Sequence, residues 1–255
     1  MPLPPPLTAL NELDAQLRST GYGVLDGASL ARLAGLATTA FEPWRCTWDK
    51  LPPDAFLKDG GRYRRRRHGC FVVQPVGGAG GAAQLHAVPH RAHWQPVQYN
   101  ALHGGIERWF EPLDAALAAS PAWPALLCAL AARAATLRAA AAAAPWFVEA
   151  HPLRIDTTDG IGRPTPEGAH RDGVDLVVVV LVARLGIKGG ETRVFDADGP
   201  QGQRFTLTEP WSALLLDDAR VIHESTPIQP LQPPQVGHRD TLVLTFRQGG
   251  FQGPG

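Results

Sequence analysis

The sequence predicts a mixed, mainly β fold: an antiparallel sandwich or jelly roll with helices packed on it. Three observations carry this. From Trp146 onward, short β-rich runs follow one another (WFVEAHPLRID, DLVVVVLVARL, ETRVFDAD, RFTLTE, SALLLDD and DTLVLTFR), with Gly-, Pro- and Asp-rich loops between them. No helical period of useful length intervenes there. Glycine (27) and proline (24) are abundant, which favours many turns over a helix bundle.

Taken in order, residues 1–7 are Pro-rich and read as a loose arm. Leu10, Leu13 and Leu17 recur at helical spacing up to the break at Gly21. GYGVLDG (21–27) reads as a short strand and Ser29 to Ala37 as a second short helix. Residues 41–61 hold Pro43, Pro52, Pro53, Gly60 and Gly61 and are expected to be irregular. RYRRRRHGCFVVQP (62–75) reads as a strand entered from a basic run, and GGAGG (77–81) as a loop. Residues 84–112, rich in His, aromatics and Gly, have little periodicity. Leu113, Leu117, Leu126, Leu127, Leu130 and Leu137 among many alanines predict one or two helices that end before Pro145. The expected organisation is one domain over 1–255. Its helical and mixed part (1–145) lends strands to a jelly-roll core (146–248).

Composition narrows the function. Lys+Arg and Asp+Glu balance at 24 each, which argues against gripping nucleic acid by bulk positive charge. The most apolar stretch, Val174 to Ala183, is about half the length a membrane span needs, and Asp175 interrupts it. MPLPPPLTAL lacks the basic start of a secretory signal. Cys46, Cys70 and Cys128 form no C-x-x-C pair. An odd, sparse count suits a reducing cytoplasm, with the thiols as small buried hydrophobes.

The chemistry concentrates in PEGAHRDGVD (166–175). His170 and Asp172 form an H-x-D pair, and on an extended segment residues two apart point to the same side. In a jelly roll, the intervening strands return the chain beside this pair at His223, at the end of SALLLDD. Two imidazoles and one carboxylate on one face leave three coordination positions open, the facial triad of non-haem iron(II) oxygenases. The open positions admit a chelating co-substrate and then O2. A co-substrate with a distal carboxylate needs a buried cation. GHRDTLVLTFR (237–247) offers Arg239 and, two residues on, Thr241. Arg247 has the same parity but lies at the strand's far end.

PTPEGAHRDGVD, GGETRVFD, LLLDDARVIHESTPI and GHRDTLVLTF resemble the bacterial 2-oxoglutarate/iron(II) dioxygenase family that includes L-isoleucine dioxygenase and the biofilm-associated BsmA group. YNALHGGIERWFEPL and RYRRRRH are similar to that family's N-terminal portion. The resemblance implies a double-stranded β-helix (cupin-like) fold, Fe(II) on His170, Asp172 and His223, and 2-oxoglutarate on the iron and Arg239. It implies hydroxylation of an unactivated C–H bond of a small polar substrate, expected to be a free L-amino acid, with release of succinate and CO2. The rival reading is a non-catalytic jelly roll that binds or senses a metabolite in stress or biofilm regulation. A cupin-type enzyme using another divalent ion is a third.

Other residues have plainer readings. His238 and Asp240, a second H-x-D pair, read as a solvated turn. RRRR (64–67) reads as a solvated or ion-paired face; as a strand it would alternate faces with two arginines inward, of which one could bind a substrate carboxylate. His86, His90, His93 and His103 invite a zinc site, but no Cys or Glu lies at motif spacing, and a substrate-proximal or surface loop is preferred. His151 shares a strand face with Glu149 and reads either as touching substrate or co-substrate or as a satisfied core histidine. Glu167 is expected to meet an amino group, and Arg154 to support a loop. Residues 84–104 and 157–168 are candidate lids. Open sheet edges are compatible with a homodimer.

Overall fold

A computed structural model of the chain describes residues 2–75, 83–139 and 144–254. The GGAGG loop and most of the alanine run after Ala139 lie outside those residues. A short 3-10 turn leads into α1 (Leu13–Thr20), which ends at Gly21 in the left-handed region (φ 78°) that glycine adopts without strain. Then come β1 (Tyr22–Leu25) and α2 (Gly27–Leu33), the latter capped by Asp26 accepting from the Ser29 amide. The basic and aromatic middle gives β2 (Arg64–Arg66), β3 (Gly69–Pro75), β4 (Ala83–Ala87), α3 (Ala115–Ala118) and α4 (Ala122–Arg138). The remainder gives β5 (Trp146–Asp156), β6 (Leu176–Leu185), β7 (Ile187–Gly189), β8 (Thr192–Asp196), β9 (Gly202–Phe205), β10 (Ala213–Asp217), β11 (Val221–Ser225), β12 (Ile228–Pro230) and β13 (His238–Arg247).

Strands pair antiparallel into one large sheet of order β1-β10-β6-β13-β5-β3-β4, with β2 also on β5. A three-stranded sheet (β11-β8-β9) and the β12-β7 pair complete the jelly roll. Period-two alternation explains the layering. On β6, Val178, Val180 and Val182 join the helices and Trp44, Trp48 and Trp123 in one core. Val177 and Leu181 face the other way, against Val194, Phe205 and Val221 of the smaller sheet. Being apolar on both faces, β6 reads as a continuous hydrophobic run. Each buried indole covers about 150–250 Å², worth several kcal/mol at about 25 cal/mol per Å². Trp48 also donates its ring N–H to the Leu153 and Thr241 carbonyls, locking a helix-side residue to the two strands that line the site.

Local expectations fail in several places. The arm is not loose: Thr8 donates to the Val24 carbonyl, and the Thr206 amide to Leu3. Residues expected to be irregular form a 3-10 helix, Glu42–Lys50, because its indoles can be buried. The basic strand is two strands, β2 and β3, and β4 appears where no periodicity announced it. His223 does not end the SALLLDD strand; a turn intervenes and it lies on β11. Of the cysteines only Cys70 is buried, while Cys46 is exposed and Cys128 half-buried. Among the described helices none is long and apolar enough to cross a membrane.

Candidate active site

His170 and His223, far apart in sequence, are paired directly through their backbones. The His170 amide donates to the His223 carbonyl (3.1 Å) and the His223 amide returns the bond (2.9 Å). The turn between β10 and β11 supplies Asp218, which is buried and accepts from the amides of Asp172, Gly173 and Val174 at 3.0, 2.7 and 3.0 Å. Gln252 holds the same loop from the C-terminal side, donating to the Asp172 and Gly173 carbonyls. A Cβ at Gly173 (φ 75°) would sit 2.3 Å from the Tyr99 ring, so this bend requires glycine.

This scaffold brings the three side chains together. His170 Nε2 lies 3.9 Å from Asp172 Oδ1 and His223 Nε2 lies 3.8 Å from Asp172 Oδ2. All three offer a ligand atom within 4.8 Å of one another. His170 Nδ1 donates to the Gly168 carbonyl (3.0 Å), which leaves Nε2 free to face Asp172. Burial pulls His170 down, but Asp172 and Glu167 outweigh it and hold it above its ordinary value. Burial raises Asp172. Burial, aided by His170, pushes His223 down to about 3.

The cluster opens on a cavity of about 980 Å³, mouth included. Paired strands form its opposite wall: on β13 Arg239, Thr241, Val243 and Thr245 face Ile155, Leu153, His151 and Glu149 of β5. At one end is Arg239, 5% exposed, with no hydrogen-bonded acceptor among the described residues. Burial, and then Arg184, lower it to about 10. An unpaired buried guanidinium is costly unless an anion occupies it.

The other end is also cationic. Arg64, Arg66 and Arg108 are buried and each keeps a buried nitrogen without a partner. Arg66 lies over the Phe110 ring, 4.1 Å from its centroid, and donates to His151 Nδ1 at 2.7 Å. Burial lowers Arg66 to about 9. Behind it, His93 Nδ1 donates to Glu149 Oε2 (2.9 Å), and His68 Nε2 lies 3.6 Å from the other carboxylate oxygen. Burial raises Glu149, but His93 and His68 outweigh it and hold the carboxyl well below its usual range. His68, His93, Glu149 and His151 form a second group of donors within 4.8 Å. Their chemistry does not fit a cation. His151 Nδ1 accepts from Arg66, so a metal on its other nitrogen would require an imidazolate. The neighbouring guanidiniums would also oppose a dication.

The family described as 2OG-Fe dioxygenase matches residues 45–245. The chain belongs to the 2OG-Fe dioxygenase family. A bsmA homolog from Methylobium petroleophilum PM1 is similar at 57% identity, covering 98% of this chain and 97% of that one, with a TM-score of 0.90. IDO from Bacillus thuringiensis shares the fold at 16% identity, 97% and 99% coverage and a TM-score of 0.72. The Fe(II)/α-ketoglutarate-dependent dioxygenase TqaL does so at 18% identity, 93% and 86% coverage and a TM-score of 0.64. No curated protein matches the chain. As a 2OG-Fe dioxygenase the protein is a non-haem enzyme that uses Fe(II), 2-oxoglutarate and O2. The donor set of His170, Asp172 and His223 suits that ion: two imidazoles and one carboxylate, with an anionic neighbour, Glu167 Oε1, 3.6 Å from His170 Nε2.

The cavity of this dioxygenase holds every residue expected at the site: His170, Asp172, His223, Arg239, Thr241, His151 and Glu167. Several plainer expectations are corrected. Asp240 is not in a solvated turn: it is 1% exposed on β13 and takes both arms of Arg154 (2.7 and 2.8 Å), which also reaches Asp49. The RRRR run is not simply a solvated face: it alternates on β2 as expected of a strand, with Arg64 and Arg66 facing inward while Arg65 and Arg67 do not. Of the histidines expected in a substrate-proximal or surface loop, His93 lines the cavity, His103 is buried and His86 is exposed. Sequence reading missed Gln95, Asn100, Arg108, His68, Asp218 and Gln252. Parity on β2 was a usable signal for the arginines; the 93–108 loop offered none.

Proposed function

We propose that His170, Asp172 and His223 hold Fe(II), that Arg239 with Thr241 takes the distal carboxylate of 2-oxoglutarate, and that the enzyme hydroxylates a small zwitterion, a free L-amino acid. The reading rests above all on the single cavity with the donor cluster on one wall and a cation at each end. Arg239 offers a dicarboxylate its far anchor. Arg66 and Arg108 offer the substrate's carboxylate a second receptor. Glu167 Oε2, buried and without a partner, faces the same space and suits the ammonium group. The motif resemblance to amino-acid dioxygenases points the same way.

Iron held there would activate O2, the oxidant: 2-oxoglutarate would leave as succinate and CO2, with one oxygen atom entering succinate and the other a substrate C–H bond. The chain's own residues bind, orient and shield. Arg66 is held by Phe110 and His151, so its fork is pre-organised. His151 therefore acts through Arg66, its Nδ1 being already engaged.

The test is succinate release by Fe(II)-loaded protein with 2-oxoglutarate, ascorbate and each of the twenty L-amino acids in turn. Stimulation by one or a few, with a product heavier by one oxygen, is expected. Slow uncoupled succinate without stimulation overturns the amino-acid reading. Undiminished succinate from Asp172→Ala overturns the ligand assignment.

A further inference from the structure

The loop between His93 and Arg108 is closed on itself. His93 and Arg108 exchange two backbone hydrogen bonds of 3.0 Å, and the Gly105 amide donates to the Gln95 carbonyl. Inside it, hydrogen-bond directions are fixed without any ambiguity of amide orientation. The His103 backbone amide can only donate, so Asn100 Oδ1 accepts from it at 2.8 Å and Asn100 Nδ2 points away. That nitrogen donates to Gln95 Oε1 (3.1 Å), and so does Arg108 Nη2 (2.9 Å). Two donors on one end of the amide leave Gln95 Nε2 to donate to Asp172 Oδ1 at 3.0 Å. Gln95 is 6% exposed, so these bonds have little competition from water. A single buried amide thus links the cationic end of the cavity to the one carboxylate of the donor cluster.

We infer that Gln95 is a positioning residue. It holds Asp172 Oδ1, leaves Oδ2, which faces His223 Nε2 at 3.8 Å, without that bond, and couples the placement of Arg108, hence occupancy of the cationic end, to the orientation of the carboxylate that would hold the iron. The inference rests on the ligand assignment made above. It gives the enzyme a direct path by which substrate binding reaches the metal. Outer partners of metal ligands commonly control affinity by about 10–100-fold when removed.

The test uses the full chain and Co(II) as probe, with 2-oxoglutarate present. Gln95→Met preserves volume and removes all three side-chain bonds. Its Co(II) affinity, measured by calorimetry, is expected to fall about 10–100-fold, with a shifted Co(II) visible spectrum and an unchanged far-ultraviolet circular dichroism spectrum. Arg108→Met, which touches no ligand, is expected to shift the same spectrum in the same direction by less. Gln95→Met in the Fe(II) enzyme is expected to raise succinate formed without hydroxylated product. If Gln95→Met binds Co(II) as tightly as wild type with the same spectrum, the inference is overturned. If wild type binds no Co(II) at all, or binds it undiminished in Asp172→Ala, the ligand assignment fails and the coupling falls with it.

Discussion

His170, Asp172 and His223 line one wall of the cavity; His93, Glu149 and His151 line the other, with His68 buried behind them. Both groups combine imidazoles with one carboxylate, and both bring donor atoms within 4.8 Å. Their surroundings separate them. The first has anions for neighbours, Glu167 at 3.6 Å and Asp218 beneath the loop, and its ring nitrogens face Asp172. The second has arginines for neighbours, and one of its ring nitrogens is taken by Arg66. One group attracts a cation, while the other is an anion with its imidazoles that balances buried guanidiniums. A ligand inventory therefore does not make a metal centre; the charge around it does.

The largest effect that sharpens this contrast is loss of one metal equivalent. Wild type is expected to carry one Fe(II) or Co(II) per chain by elemental analysis. Asp172→Ala is expected to carry none and to lose turnover by about 10³-fold or more, whereas His68→Ala keeps its equivalent. Two equivalents in wild type would break the comparison.

Next is stability. Glu149→Gln removes the buried carboxylate that accepts from His93 and faces His68 and is expected to cost about 1–3 kcal/mol in denaturant unfolding. A change below about 0.5 kcal/mol would mean that the charge on this group adds nothing to the fold.

The two cationic ends should separate kinetically. Arg239→Met is expected to raise the KM for 2-oxoglutarate about 10–100-fold, and Arg66→Met to raise that for the primary substrate by a similar factor. Each should leave the other KM within a few-fold. Equal effects on both would merge the two ends into one site.

The smallest effect is in pH. Burial pushes His93 down to about 3, opposed by Glu149. The unfolded chain protonates this imidazole near pH 6.5 and the folded chain does not until about 3. Between those values the unfolded state binds more protons, so stability falls on acidification, by up to about 1.4 kcal/mol per pH unit from this group. Glu149, whose folded value is depressed, adds a loss in the same direction below its unfolded value. His93→Gln should flatten the stability profile between pH 6 and 4; an unchanged slope would mean that His93 is charged in the folded chain.

Legibility followed element length. Along β5, β6 and β13, β-rich runs of ten or eleven residues identified the strands, and period-two parity put Glu149 with His151 on one face of β5 and Arg239 with Thr241 on one face of β13. The single jelly-roll motif stretch likewise announced His170 and Asp172. Short or irregular elements did not announce themselves. β2 is three residues long, and its inward pair is decided by pairing with β5. The 93–108 loop has no period; its order comes from one backbone bridge and a set of amide contacts.

The linear order of residues was thus enough to predict a strand-rich fold and to single out His170, Asp172, His223 and Arg239, which the structure gathers around one cavity, because these readings rest on local periodicity and residue chemistry. It was not enough to say that Arg64, Arg66 and Arg108 are buried, that Asp240 pairs with Arg154, or that one of two imidazole–carboxylate groups suits a cation. Those properties depend on desolvation and on charges brought from distant segments, and they arise only when β2, β5 and the 93–108 loop meet around one cavity.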